Sequence, residues 1–85
     1  MTKTIYTEAQ AALCEAITVA RKNAGLSQME MAAKLNCHQS MIARVESGQR
    51  RIDVIELIII ARAIGVDPYE IIGGLWDKVP EGQGL

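Results

Sequence analysis

Apolar residues recur along most of this chain at intervals of three and four positions, the period of an amphipathic helix. The first such run predicts a helix over about residues 8 to 24. Thr7 and Gln10 have the spacing of a capping box at its start, and Gly25 is placed to end it. The apolar residues of this run are Ala9, Leu13, Ala16, Ile17, Ala20 and Ala24.

The stretch from Leu26 to Gly48 predicts two short helices separated by a three-residue break. Ser27 and Glu30 form a second capping box, and Asn36, which tolerates a positive φ, is placed to end the first of the two. The second spans residues 39 to 47, with a narrow apolar stripe of two residues. Its opposite face is polar, so it is either a plain solvated surface or a surface that binds a ligand.

A fourth helix is predicted to begin at Asp53, which forms a third capping box with Glu56, and to end at Gly65. Its broad apolar face consists of Val54, Leu57, Ile58, Ile60, Ala61 and Ile64. A fifth begins with an Asp67 cap and Pro68 and is predicted to stop at about Ile72, before two glycines. Residues 75–85 have no apolar period, which predicts a tail that is partly disordered or packed at a dimer interface.

Two isoleucines of the fourth helix, Ile55 and Ile59, fall nearly opposite Leu57 and therefore away from the core. Either the chain termini or a second subunit must cover them, and the pattern favours the subunit. Trp76, a large ring after the last predicted helix, is expected to dock against the same subunit surface. These three residues are the predicted dimer interface.

Length and charge bound the possible functions. With 85 residues, of which 49% are apolar, the chain can form one domain, predicted over residues 1–74. The net charge is −1, but the stretch from Arg21 to Arg51 holds six cations against two anions, a local balance of +4. The rest of the chain has a balance of −5. A polyanion would therefore meet a basic centre.

Other classes of function find no support in the sequence. Cys14 and Cys37 lack metal-site spacing and are expected to be reduced, apolar side chains in a cytoplasmic protein. The first ten residues lack a long apolar run, so we expect no signal peptide. The sequence shows no run of apolar residues long enough to cross a bilayer, no paired nucleophile and base, and no glycine-rich phosphate loop. We therefore expect no enzyme activity, no cofactor, no metal and no membrane association.

From about Ile17 to Ile72 the chain resembles the phage-repressor/Cro-type family of helix-turn-helix regulators, also called the Xre family. The matching residues are Arg21, Ala24, Gly25, Leu26, Ser27, Gln28, Met31, Ala32, Leu35, Ile42, Arg44, Glu46, Gly48, Leu57, Ala61, Ala63, Ile64, Gly65, Val66 and Ile71. The resemblance implies an all-α, compact five-helix bundle with a lambda-repressor-like DNA-binding domain. The third helix would be the recognition helix in the DNA major groove.

The resemblance also implies roles for individual residues. Those expected to read bases are Gln28, Gln39, Ser40, Ala43 and Arg44, although the two glutamines can instead brace the recognition side chains. Those expected to meet phosphates are Ser27, Lys34, His38, Ser47, Arg50 and Arg51. His38 stands where Ser or Thr more often caps the recognition helix, and it is alternatively a plain turn residue. Arg21 and Glu46 are expected to form a structural pair; the alternative is two solvated charges.

These implications converge on a small transcriptional regulator that binds double-stranded DNA sequence-specifically, with a repressor favoured. A homodimer would present two recognition helices to a palindromic operator. The alternative is a protein-interaction module, or an antitoxin-type regulator, that binds a partner protein through its fourth helix and C-terminal surface.

Overall fold

Five α-helices succeed one another along the chain. The computed structural model describes the backbone of residues 2–85 and the side chains from residue 8 onward. The helices are α1 (Thr2–Asn23), α2 (Gln28–Lys34), α3 (Gln39–Glu46), α4 (Val54–Ile64) and α5 (Pro68–Trp76), with no strand in the described part of the chain. The predicted all-α architecture with five helices is confirmed.

Two predicted capping boxes form with short hydrogen bonds. At the start of α2, the Glu30 N–H donates to Ser27 Oγ at 3.0 Å and the Ser27 N–H donates to Glu30 Oε1 at 2.8 Å. At the start of α4, Asp53 and Glu56 make the same pair of bonds at 2.7 and 3.0 Å. Each box satisfies backbone donors that the first helical turn leaves without a partner, so these two starts are determined locally.

The turn between α2 and α3 depends on a left-handed residue. Asn36 has φ +55°, as its position predicts, and this conformation allows the Cys37 N–H to donate to the Ala32 carbonyl at 3.0 Å. The bond closes the end of α2 in the manner of a Schellman motif. The chain then enters α3 after only two further residues, so α2 and α3 pack directly against each other.

The predicted boundaries of α1 and α5 are wrong. The α1 helix begins at Thr2, so the predicted start at Thr7 lies inside it; the Thr7 side chain, and with it the capping box to Gln10, lies outside the described residues. The α5 helix continues through Gly73 and Gly74 to Trp76, four residues past its predicted end at about Ile72. Neither glycine has a positive φ. Glycine permits a helix stop without imposing one, and packing of α5 against α1 extends the helix.

The core is aliphatic and is formed by four of the helices. Its buried members are Ile17 from α1, Met31 and Ala32 from α2, Ile42 and Val45 from α3, and Ile60 from α4. Leu57 and Ala61 of α4 are also buried. The predicted two-residue stripe of α3 is therefore confirmed: this helix faces the core with Ile42 and Val45, and its exposed residues are Gln39, Ser40 and Arg44.

One residue assigned to the apolar face of α4 is misplaced. Val54 is 63% exposed, whereas Leu57, one turn later, is buried. The helical spacing of the prediction holds, but the core reaches α4 only from Leu57 onward, and the first turn projects beyond it. No described helix is both long enough and apolar enough to span a bilayer.

The two glycines inside α5 predict a gain in stability on replacement by alanine. A Cβ at Gly73 or Gly74 meets no heavy atom within 4 Å. Because glycine is about 1 kcal/mol less favourable than alanine within a helix, Gly73→Ala and Gly74→Ala should each raise the free energy of unfolding by up to that amount. Urea denaturation followed by circular dichroism measures it.

The matched control is Gly65→Ala. Gly65 also has an open Cβ position, but its φ is +87°, so alanine there should lower the free energy of unfolding by about 1–2 kcal/mol. Destabilisation by the Gly73 and Gly74 replacements similar to that at Gly65 would contradict the course of α5 described above.

Candidate nucleic-acid interface

The outward face of α3 carries most of the predicted base-reading residues. Gln39, Ser40 and Arg44 are exposed, and Ala43 beside them is half-buried. Because a helix turns 100° per residue, Ser40, Ala43 and Arg44 fall on the side away from Ile42 and Val45, whereas Gln39, the first residue of the helix, lies at the edge of that side. The face offers amide, hydroxyl, guanidinium and methyl groups, which match the hydrogen-bonding and methyl groups of base edges in a major groove.

A buried ion pair joins the end of α1 to the end of α3. Arg21 Nε donates to Glu46 Oε2 at 2.7 Å and Arg21 Nη2 donates to Glu46 Oε1 at 3.1 Å, a bidentate arrangement. The two side chains are only 9% and 6% exposed. Arg21 Nη1 also donates to the Leu26 carbonyl at 2.8 Å, so the same guanidinium holds the loop that leads into α2. The structure thus brings the two predicted partners together.

Both charges of this pair are stabilised by their contacts. Burial acts to raise the pKa of Glu46, but the hydrogen bonds from Arg21 and Gln28 and the charge of Arg21 outweigh it, and the pKa lies below its ordinary value. The hydrogen bond with Glu46 raises the pKa of Arg21. The pair is therefore ionised across the range in which proteins normally function.

The same carboxylate begins a chain of hydrogen bonds that reaches the surface. Gln28 Nε2 donates to Glu46 Oε1 at 3.0 Å, and Gln39 Nε2 donates to Gln28 Oε1 at 2.6 Å. Gln28 is half-buried and Gln39 is exposed. The first residues of α2 and α3 are thereby joined to each other and to the ion pair. Sequence reasoning left open whether these glutamines read bases or brace others, and in the free protein Gln28 braces Gln39.

The residues expected to meet phosphates are distributed over three segments. Ser27 caps α2, and its hydroxyl still has a proton to donate while Oγ accepts from Glu30. Lys34 is exposed at the end of α2, and Ser47 and Arg51 are exposed after α3. His38, exposed as well, is the N-cap residue of α3 but makes no capping hydrogen bond with its side chain.

Arg50 has a partner that the sequence pattern did not reveal. Its Nη2 donates to Glu56 Oε2 at 2.7 Å, and this contact connects the loop between α3 and α4 to the start of α4. The pairing lowers the pKa of Glu56 and raises that of Arg50. Glu56 thus takes part in the α4 capping box and also balances part of the positive charge counted in this region.

A second surface, distinct from the polar face of α3, is apolar. Ile55 and Ile59 of α4 are 64% and 52% exposed, and Trp76 at the end of α5 is 77% exposed. The exposed apolar set of α4, consisting of Val54, Ile55 and Ile59, is called the α4 patch below. Large aliphatic side chains in water are unfavourable by roughly 25 cal/mol per Å² of surface, which makes the patch a candidate contact surface.

Both cysteines of the chain lie among the described residues. Cys14 and Cys37 are free and half-buried, and burial raises the pKa of the Cys14 thiol. Among the described side chains no group of three His, Cys, Asp or Glu is placed to hold a metal ion.

Comparison with known proteins places this geometry in a family. The family model described as "Helix-turn-helix" matches residues 17–71. A solved structure of an "XRE-family like protein from Pseudomonas syringae pv. tomato str. DC3000" is 40% identical in sequence, with a TM-score of 0.84 over 93% of this chain and 96% of that one. Comparison with curated proteins gives no match.

The buried pair makes a stability prediction. Removing one partner of a buried ion pair leaves an uncompensated charge, so Glu46→Ala should lower the free energy of unfolding by roughly 3–5 kcal/mol. Arg21→Met should do the same, and the two losses should not add, because they remove one interaction. Chemical denaturation of the two single variants and the double variant measures the coupling. Glu15→Ala, at an exposed glutamate of α1, is the control and should change stability by less than about 0.5 kcal/mol.

The same carboxyl group also predicts a dependence on pH. Because its pKa is lower in the folded protein than the ordinary 4.5, its contribution is complete above that value and is lost as the pH falls through the folded pKa. The stability difference between the parent chain and Glu46→Ala should therefore shrink on acidification below about pH 4. A difference that stays constant down to pH 2 would contradict the pairing.

Proposed function

The chain belongs to the Xre family of helix-turn-helix DNA-binding transcription regulators, and on that premise we propose that it is a sequence-specific repressor. The α3 helix would lie in the major groove of double-stranded DNA. The observation that carries the proposal is the outward face of α3, where three exposed polar residues stand together on a helix whose other edge is anchored in the core. A helix held in this way can place its polar face in the major groove while its other side stays packed on the core.

Base reading is assigned to the start and middle of α3. Gln39 offers an amide that matches the N6 and N7 edge of adenine, and Arg44 offers the donors that match guanine O6 and N7. Ser40 can donate to or accept from either type of base, and Ala43 can contact a thymine methyl group. Gln28 contributes through Gln39, to which it is hydrogen-bonded.

Affinity would come mostly from phosphates. Ser27, Lys34, His38, Ser47 and Arg51 are exposed around the two helices, and Arg50 lies beside them with its contact to Glu56. Contacts of this type orient a protein on DNA without selecting a sequence, and they make the affinity depend on salt.

Dimerisation is proposed through the α4 patch, together with Trp76. Two such patches facing each other across a two-fold axis would remove Ile55 and Ile59 of both subunits from water. The two copies of α3 would then read half-sites about one helical turn, ~34 Å, apart on a palindromic operator. Occupying such a site would exclude other proteins from the promoter, which is the basis for proposing a repressor.

A second candidate, binding of a partner protein, is favoured by a different surface. The α1 and α5 helices border a groove of about 620 Å³ whose walls include Val19 and Leu75 and whose rim includes Glu15 and Glu70. Tyr69 and Trp76 stand exposed on α5. A partner with an amphipathic helix that carries basic residues would fit the apolar walls and the acidic groups of this groove, which Lys78 also lines. Such a partner would leave the DNA-binding face of α3 available.

The placement of α3 in the DNA major groove predicts two different losses on mutation. Gln39→Ala should relax the base preference at one position of each half-site, because it removes a donor and acceptor that face base edges. Arg51→Gln should weaken binding to all sequences alike and reduce the slope of log affinity against log salt by about one. Selection of bound duplexes from a random pool, followed by titration at several salt concentrations, measures both. An unchanged base preference for Gln39→Ala would show the assignment to be wrong.

The interface assignment predicts a change in assembly. Replacing Ile55 and Ile59 by Asp should shift the protein to a monomer, because burying four carboxylates in one interface is unfavourable. Sedimentation equilibrium at tens of micromolar measures the mass. Met29→Asp is the control: Met29 is 72% exposed but lies on α2, so this variant should assemble like the parent chain. A parent chain that sediments as a monomer would contradict the proposed dimer.

A further inference from the structure

In the series of hydrogen bonds from Glu46 to Gln39, the buried end determines which group donates and which accepts at each step. Ionised carboxylate oxygens only accept hydrogen bonds, whereas the amide of glutamine has a donor side and an acceptor side. Gln28 must therefore present Nε2 to Glu46, which turns its Oε1 toward Gln39. Gln39 must in turn present Nε2 to that oxygen, at 2.6 Å. Each step leaves the next amide one orientation.

This constraint determines what Gln39 can offer to DNA. One of its two N–H groups is used by Gln28, so the amide keeps one free N–H and the carbonyl oxygen, side by side. One donor beside one acceptor is the pattern that matches adenine N7 and N6. In the opposite orientation Oε1 would face Gln28 and both N–H groups would be free, and two donors match the O6 and N7 acceptors of guanine.

We propose that Glu46 is a specificity-determining positioning residue: acting through Gln28, its carboxylate orients the Gln39 amide so that the recognition helix prefers adenine over guanine at the position Gln39 reads. The inference rests on the proposed function, because it requires that Gln39 meets a base. It goes further in assigning sequence preference to a buried residue that never touches DNA.

Glu46 fixes the buried end of this series of hydrogen bonds strongly because it is charged and buried. Glu46 is 6% exposed, and Arg21 occupies both of its oxygens from the other side. Hydrogen bonds to an ionised group are roughly twice as strong as those between neutral groups, so reversing the Gln28 amide against this carboxylate would be costly. Water at the exposed Gln39 end cannot impose the opposite order, because either orientation of that amide can bind water equally well.

The decisive variant is Glu46→Gln. The new amide can place either its oxygen or its nitrogen toward Gln28, and Arg21 can donate to a carbonyl oxygen at either of the two positions to which it now donates. Both orientations of donors and acceptors along the series of hydrogen bonds then become available. In selection from a random duplex pool, the preference for adenine over guanine at the Gln39 position should fall from on the order of tenfold to about equal. Other positions of the site should keep their preferences.

A second variant tests the relay, meaning the series of hydrogen bonds from Glu46 through Gln28 to Gln39, without disturbing the ion pair. Gln28→Met has a similar length but no donor or acceptor, so it disconnects Gln39 from Glu46 while leaving the Arg21 contacts in place. It should broaden the preference at the same position, with a melting temperature close to that of the parent chain. This variant keeps the test meaningful if Glu46→Gln folds too weakly for selection.

The outcomes separate this inference from the proposed function. One outcome is that the preference for adenine at the position read by Gln39 persists in both Glu46→Gln and Gln28→Met but is lost in Gln39→Ala. This outcome would overturn the relay and leave the placement of α3 in the major groove intact. A parent chain that selects no motif at all would overturn the proposed function and the relay together. Broadening confined to the Gln39 position in the two relay variants is the supporting result.

Discussion

The need to satisfy two buried charges constrains much of this small domain. Arg21 and Glu46 lie out of water, so each is stable only while the other stays within hydrogen-bonding distance. The contact fixes the last turn of α1 against the last turn of α3. The third bond of the same guanidinium, to the Leu26 carbonyl, fixes the start of the loop into α2. Three helices are therefore oriented by one pair of side chains.

Features that depend on neighbouring residues were predictable from the sequence. The capping boxes at Ser27 and Asp53 and the left-handed turn at Asn36 each need only a few adjacent positions, and all three are present. The end of α5 was not predictable in this way. Two adjacent glycines suggest a stop, but whether a helix continues through them depends on what packs against it, here α1.

Contacts between distant residues were predictable only where the family resemblance pointed to them. The pairing of Arg21 with Glu46 follows from that resemblance, whereas the pairing of Arg50 with Glu56 and the bond from Gln28 to Glu46 do not. The distances between such groups depend on the angle at which helices meet, which a linear pattern does not contain. A count of charges along the sequence likewise does not reveal that Arg50 is paired with Glu56.

The Asn36 turn has a consequence for the way in which the two helices would meet a ligand. The α2 and α3 helices are joined by a closed turn and by a hydrogen bond between two glutamines, so they are already ordered against each other before a ligand binds. Ordering a flexible backbone costs roughly 1–2 kcal/mol per residue, and a unit that is already ordered avoids this loss of conformational entropy on association. Productive encounters would then depend on orientation and long-range charge, not on a folding step.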